Sequence, residues 1–210
     1  LEDGYTKYQC IHCDYNYIDQ TQLAYGHNYI ENAFNQGASV ILTEKEIDAC
    51  DDRGAVLVED SVYALGRLSK YYKEQFNLKT IAITGSVGKT STKEMIASVL
   101  AQKYKVHKTL GNFNNEWGLP ITLFAMPEDT EVAILEMGIN HFGEMRRLSS
   151  VSCPDICVIT NIGIAHLEFL KTREGILQEK TEMIKDMKEG GSILLNGDDD
   201  LLSTVGERNG

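Results

Sequence analysis

The residues with the clearest chemical meaning are Thr84-Gly85-Ser86-Val87-Gly88-Lys89-Thr90-Ser91. A short apolar run, Ile81-Ala82-Ile83, precedes them and reads as a buried parallel strand. Residues 93–103 follow, with Met95, Ile96, Val99 and Leu100 at helical spacing. Strand, glycine loop and helix in that order make a phosphate cradle. Gly85 and Gly88 let the backbone turn its N–H groups inward with no Cβ in the way. The helix start adds partial positive charge facing the anion. Lys89 is placed to reach terminal phosphates, and the Thr90 hydroxyl to ligate Mg²⁺. The spacing, G-x-x-G-K-T, is two residues shorter than the general P-loop pattern. A plain strand-to-helix turn with a solvated lysine is the simpler alternative. The coincidence of strand, two glycines, Lys-Thr and helix argues for the cradle.

Further polar groups fall at the ends of other apolar runs. Val132-Ala133-Ile134-Leu135 delivers Glu136, a carboxylate where a metal ligand is needed. Residues 156–160 deliver Asn161 and then His166, and residues 192–195 end at Asn196. In parallel α/β sheets ligands bind beyond the carboxyl ends of the strands, where all these groups fall. A capping role for Glu136 and a core role for His166 are the plainer readings, and the neighbouring phosphate loop weighs against both.

These residues require a scaffold. Strands alternate with helical segments, so the fold class is α/β: a small N-terminal α/β domain, then a P-loop-type, mostly parallel sheet with helices on both faces. The first unit covers residues 1–78. Its readable part has a helix at 27–35 ended by Gly37, strands at 39–43 and 55–58, and a helix at 61–76. In that last helix Ser61 is the N-cap and Val62, Leu65, Leu68 and Tyr72 face inward. Residues 1–25 show no sustained period. The second unit, 79–210, holds the phosphate loop, strands at 105–108, 132–135, 156–160 and 192–195, and helices at 120–124, 143–148 and 173–187. Lys180 falls on the inward side of the last helix, with Ile176, Leu177 and Met183.

Composition narrows the partners. The chain has 210 residues, 42% hydrophobic and 24% charged, with a formal net charge of −11. That acidity argues against a nucleic-acid binder. No apolar run approaches the roughly 20 residues of a membrane span, so no membrane insertion is expected. Five cysteines and no signal-peptide pattern suggest the reducing cytoplasm. Cys10-Ile11-His12-Cys13 could be half a zinc site or a redox pair, with Cys153 and Cys157 as a possible second pair; free or buried thiols are the favoured reading. The chain opens on Leu1 rather than Met, which suggests that this is not a native start.

Four segments, in order, resemble the Mur ligases of peptidoglycan synthesis. They are Gly85-Ser86-Val87-Gly88-Lys89-Thr90-Ser91-Thr92-Lys93-Glu94; Gly111-Asn112-Phe113-Asn114-Asn115-Glu116-Trp117-Gly118-Leu119-Pro120-Ile121-Thr122-Leu123; Glu136-Met137-Gly138-Ile139-Asn140-His141-Phe142-Gly143-Glu144-Met145; and Thr160-Asn161-Ile162-Gly163-Ile164-Ala165-His166-Leu167-Glu168. The likeness covers about residues 26–205. It is most specific for the branch that joins D-alanyl-D-alanine to UDP-N-acetylmuramoyl tripeptide. It implies ATP-dependent amide ligation: a carboxylate attacks the γ-phosphate, and the acyl phosphate is captured by an amine. By the same resemblance Gly85, Ser86, Val87, Gly88, Lys89, Thr90 and Ser91 hold ATP, with Asn114, Asn115 and Glu116 lining the cleft. Thr90 and Glu136 ligate one Mg²⁺; His166 and a carbamylated Lys180 serve a second. Lys89, Glu136, His166 and Lys180 form the catalytic set, and a monomer is expected.

The sequence departs from the family in three places. Val87 stands where the family usually has Asn. The uridine-gripping Ser-Arg pair is not recognisable in residues 1–25. The sequence ends at Gly210, before the family's C-terminal domain that closes over ATP, so the chain alone is expected not to complete ligation. Two other classes stay open: a non-catalytic nucleotide-binding module, and a related ligase such as a folylpolyglutamate synthetase or the enzyme adding the third peptide residue. The Asn114-Asn115-Glu116 segment argues against both.

Overall fold

A computed structural model describes residues 29–47, 54–164 and 167–206. His166, Cys10, Cys13 and the expected helix start at His27 lie outside the described residues. The chain forms two compact units that part between Ala64 and Leu65.

The first unit contains α1 (Ile30–Asn35), β1 (Val40–Thr43) and β2 (Gly54–Leu57). β1 and β2 pair in parallel, with Val40 opposite Gly54. Ala33, Phe34 and Ile41 form the small core, with Ile30, Ala38 and Ile47 against it. Helix α2 (Ser61–Glu74) begins here. Its cap is Asp60, whose Oδ1 accepts from the Tyr63 N–H at 2.8 Å. Ser61, expected as the cap, binds Glu44 Oε1 through both its N–H and its hydroxyl.

The second unit is a five-stranded, all-parallel sheet in the order β4-β5-β3-β6-β7. Its strands are β3 (Lys79–Thr84), β4 (Val106–Lys108), β5 (Val132–Glu136), β6 (Ile156–Ile159) and β7 (Ser192–Leu195). Its helices are α3 (Lys89–Leu100), α4 (Gly118–Phe124), α5 (Glu144–Ser152), α6 (Leu167–Leu170) and α7 (Arg173–Thr181). A 3₁₀ turn (Glu182–Asp186) continues α7, so the single helix expected over 173–187 is broken into two pieces.

Alternation along each strand sends side chains to opposite faces. On one face Ala82, Ala133, Leu135, Cys157 and Ile159 pack against Leu119 and Leu123 of α4, Met145 and Leu148 of α5, and Ile176 of α7. On the other, Ile81, Ile83, Val132 and Ile134 pack against Ala97, Ile96 and Leu100 of α3. Both faces are covered, which is why these strands read as continuous apolar runs. Among the described residues no helix is long and apolar enough to cross a membrane.

Two helix faces differ from expectation. In α2 the buried residues are Gly66, Ser69 and Lys73, while Leu68 is 50% exposed. A Cβ on Gly66 would stand 3.1 Å from Val151 Cγ2, so the helix approaches its neighbour closely through its small residues. In α3, Met95 and Val99 are exposed and Lys93 is buried. The Lys93 ammonium donates to the Thr109 carbonyl at 2.7 Å and lies 3.5 Å from Glu136 Oε2, which compensates its burial.

Candidate active site

The candidate phosphate loop leaves β3 at Thr84 and enters α3 at Lys89. Gly85 has φ +150°, and a Cβ there would come 1.9 Å from Thr160 Oγ1. Gly88 is the helix N-cap, in the left-handed region at φ 81°, and carries no side-chain cap. The first-turn N–H groups of an α-helix have no i−4 carbonyl, so this end of α3 presents free donors and the positive pole of the helix.

Lys89 donates to the Gly85 carbonyl at 2.9 Å and so curls back over the loop. Burial lowers its pKa and the nearby Glu136 opposes that shift. Thr90 Oγ1 donates to Glu136 Oε2 at 3.0 Å, and Asn114 Nδ2 donates to Glu136 Oε1 at 3.0 Å. Glu136 itself is fixed by its backbone: its N–H donates to Thr109 Oγ1 at 3.0 Å. It is 2% exposed. A buried carboxylate, a hydroxyl and an amide therefore converge beside the loop.

Lys180 is 2% exposed, on α7. Burial pushes its pKa down to about 7; Lys89 adds to that effect and Glu179 opposes it. Among the described residues its side chain makes no hydrogen bond or ion pair. Its neighbour Glu179 is engaged elsewhere, accepting from the Met145 N–H at 2.9 Å.

The other expected residues are placed differently. Asn115 Oδ1 accepts from the N–H groups of Trp117 and Gly118 at 3.2 and 2.8 Å, capping the start of α4. Glu116 forms a two-pronged ion pair with Arg147, with Arg147 Nη2 3.0 Å from Glu116 Oε2. The Val87 side chain is 65% exposed; its backbone, not its side chain, makes the loop's contacts. Cys157 is buried on β6, which pushes its thiol up to about 12. Cys153 and Cys157 are both free thiols.

In the sequence Asn161 stands at a strand end and inside one of the four resembling segments, and neither assigns it a role. In the structure its Oδ1 accepts from the N–H groups of Ser86 and Val87 at 3.1 and 3.0 Å. Thr160 Oγ1 donates to the Val87 carbonyl at 2.6 Å, and the Gly163 N–H to Ser86 Oγ at 2.9 Å. The end of β6 thus braces the phosphate loop from outside. The signal that could have found this is adjacency: β6 pairs with β3, the strand that carries the loop.

The donor set fits a hard divalent cation. A carboxylate and a hydroxyl 3.0 Å apart offer two oxygens, with room for phosphate and water oxygens to complete an octahedron. Among the described residues there is no group of three or more His, Cys, Asp or Glu that could hold a metal by itself.

Residues 83–209 match the family model of the Mur ligase middle domain. Over 181 residues, 86% of its length, the chain is 46% identical to UDP-N-acetylmuramoyl-tripeptide–D-alanyl-D-alanine ligase of Bacillus subtilis, covering 40% of that protein. The corresponding ligase of Rickettsia prowazekii is 39% identical, with 86% of this chain and 40% of that protein covered. Among solved structures, the MurF ligase of Thermotoga maritima in complex with ADP superposes with a TM-score of 0.80 at 37% identity, over 86% of this chain and 42% of that one. The chain therefore spans about two fifths of the relatives it matches.

Proposed function

The chain belongs to the Mur ligase family, and from that membership we propose that it carries the ATP site of an enzyme joining D-alanyl-D-alanine to UDP-N-acetylmuramoyl tripeptide through an acyl phosphate. The observation that carries the reading is the Thr90–Glu136 pair beside the uncapped start of α3. Relatives with that activity in their names match this chain at 46% and 39% identity.

Each residue has a role in this reaction. The α3 N-terminus and Lys89 hold the β- and γ-phosphates and neutralise charge on the phosphoryl oxygens as the substrate carboxylate attacks. Thr90 and Glu136 hold Mg²⁺, with Asn114 fixing the second Glu136 oxygen. The bound ion supplies electrostatic stabilisation of the transferring phosphoryl group. His166 and Lys180 serve a second Mg²⁺. For Lys180 this requires carbamylation: the neutral amine adds to CO₂, a C–N bond forms and a proton leaves to solvent. The product is an anion. Burial, the lack of a partner and the nearness of Lys89 support it, because carbamylation turns repulsion between two cations into attraction. ATP is a cytoplasmic co-substrate, so the proposed place of action is the cytoplasm.

Calorimetry tests the nucleotide site, and a chimera tests the reaction. Wild type should bind MgATP, and Lys89→Ala should bind it about 10- to 100-fold more weakly, through loss of a charge-assisted phosphate contact. Equal affinity would refute the site. Residues 29–206 inserted for the matching segment of the Bacillus subtilis relative should support pentapeptide formation from ATP, UDP-N-acetylmuramoyl tripeptide and D-alanyl-D-alanine. A folded chimera that binds MgATP but forms no amide would refute the ligase assignment.

A further inference from the structure

The brace on the phosphate loop is itself held. Ile162 follows Asn161 and is 1% exposed, past the last ladder residue of β6. Its two backbone groups are therefore buried with no strand partner, and each must find a side chain. The Ile162 N–H donates to Asp199 Oδ2 at 2.7 Å. Its carbonyl accepts from Arg173 Nε at 3.1 Å and Nη2 at 2.9 Å. Arg173 is aimed by Asp200, through Nη1–Oδ2 at 2.8 Å and Nη2–Oδ1 at 2.5 Å. Asp199 is aimed by the N–H groups of Leu201 and Leu202, which donate to its Oδ1 at 3.0 and 2.9 Å. The residues on either side of Ile162 make the loop contacts: Asn161 with Ser86 and Val87, Gly163 with Ser86.

We propose that Arg173 and Asp199 are positioning residues for the phosphate loop, acting through the backbone of Ile162. The planar guanidinium suits this task, since its fork can grip a carbonyl and a carboxylate together. The Arg173–Asp200 ion pair is too exposed to contribute much stability, with side chains 36% and 68% accessible. Its effect is to direct Nε and Nη2 at one carbonyl. Releasing Ile162 frees Asn161 and Gly163 to move, and Ser86 and Val87 lose the acceptors that fix their orientation. The cradle then has to be ordered at the moment a polyphosphate binds, which weakens binding. This inference rests on the nucleotide reading given under Proposed function.

The test uses the 210-residue chain and three variants: Arg173→Ala, Arg173→Lys and Asp200→Asn. Amide hydrogen exchange is followed without nucleotide at Ser86, Val87 and Gly163, with Ala82 and Ile134 as sheet controls. MgADP affinity is measured by calorimetry. Arg173→Ala should speed exchange at the three loop amides about tenfold or more, leave the controls unchanged, and weaken MgADP about 5- to 30-fold. Arg173→Lys, which keeps a donor for the Ile162 carbonyl, should recover most of both. If Arg173→Ala does not fold, Asp200→Asn decides: faster exchange confined to the loop amides supports the proposal, and unchanged exchange overturns it. A uniform rise that includes the controls also overturns it, because that marks a merely structural role. A wild type that binds no MgADP would sink the nucleotide reading and this proposal together. A wild type that binds MgADP, with exchange and affinity indifferent to Arg173→Ala, would sink this proposal alone.

Discussion

Thr90 Oγ1 donates to Glu136 Oε2 at 3.0 Å, joining the first turn of α3 to the carboxyl end of β5. The two residues are 46 positions apart, and they meet because β5 is the direct neighbour of β3 in the sheet. Glu136→Gln keeps the shape and removes the charge. The expected result is a loss of MgADP affinity of about tenfold or more, with ADP affinity in the presence of a chelator changed far less. Calorimetry with and without Mg²⁺ checks this. Equal losses under both conditions would show that Glu136 acts on the nucleotide directly and not through a metal.

Lys180 gives a pH-dependent prediction. With its pKa near 7, the reactive neutral amine is scarce in mild acid and dominant in mild alkali. In ¹³C-bicarbonate the wild type should show a carbamate signal that grows over about pH 6 to 8, with Mg²⁺ and ADP present. Lys180→Ala should lack it. No carbamate signal at the alkaline end would remove Lys180 from the proposed metal site.

Much of this architecture was legible because parallel strands covered on both faces must be apolar along their whole length. Val132–Glu136 and Ser192–Leu195 match expectation almost residue for residue. Helix faces were less legible. Hydrophobic spacing put Leu68 inside α2 and Met95 inside α3, yet close packing uses Gly66 and Ser69, and Lys93 is buried through a carbonyl and a carboxylate. Within the site, the phosphate loop and Glu136 followed from strand ends and glycine spacing. The resemblance put Asn114 along the cleft but not against Glu136, and Arg173 and Asp199 carried no signal. Their partners are backbone groups of Ile162, and a backbone acceptor leaves no trace in residue type.

Gly85 gives a steric prediction. Its φ of +150° is disfavoured for any residue with a Cβ, and that Cβ would sit 1.9 Å from Thr160 Oγ1. Gly85→Ala should push the loop off its brace, lowering MgADP affinity and stability, the latter by about 1–3 kcal/mol. Adding Thr160→Ala should recover part of the stability, since it removes the nearest clashing atom, but not the part due to φ. Denaturant unfolding of the single and double variants measures this. A single variant as stable as wild type would mean the loop is looser than its contacts indicate.

Asp155 makes the opposite end of the sheet pH-sensitive. Its carboxylate accepts from Lys79 Nζ at 2.8 Å, Lys188 Nζ at 3.0 Å and the Thr80 N–H at 2.9 Å. Its backbone joins Thr80 and Ser192, so one residue ties the amino ends of β3, β6 and β7. Burial alone would raise its pKa. The hydrogen bonds from Lys79, Thr80 and Lys188 outweigh that and hold it below the ordinary carboxylate value. A depressed pKa means the folded state binds fewer protons than the unfolded state between the two values. The stabilisation is therefore complete above the unfolded carboxylate's pKa and is lost as pH falls through the folded one. Asp155→Asn should cost about 1–2 kcal/mol at neutral pH, discounted because Lys79 and Lys188 are 74% and 46% accessible. The gap between variant and wild type should narrow in strong acid, and MgADP affinity should not change, since the phosphate loop leaves the other end of β3. Urea midpoints of both proteins across that pH range measure the gap. A difference that stays constant from neutral pH to acid would show that Asp155 acts by shape and not by charge.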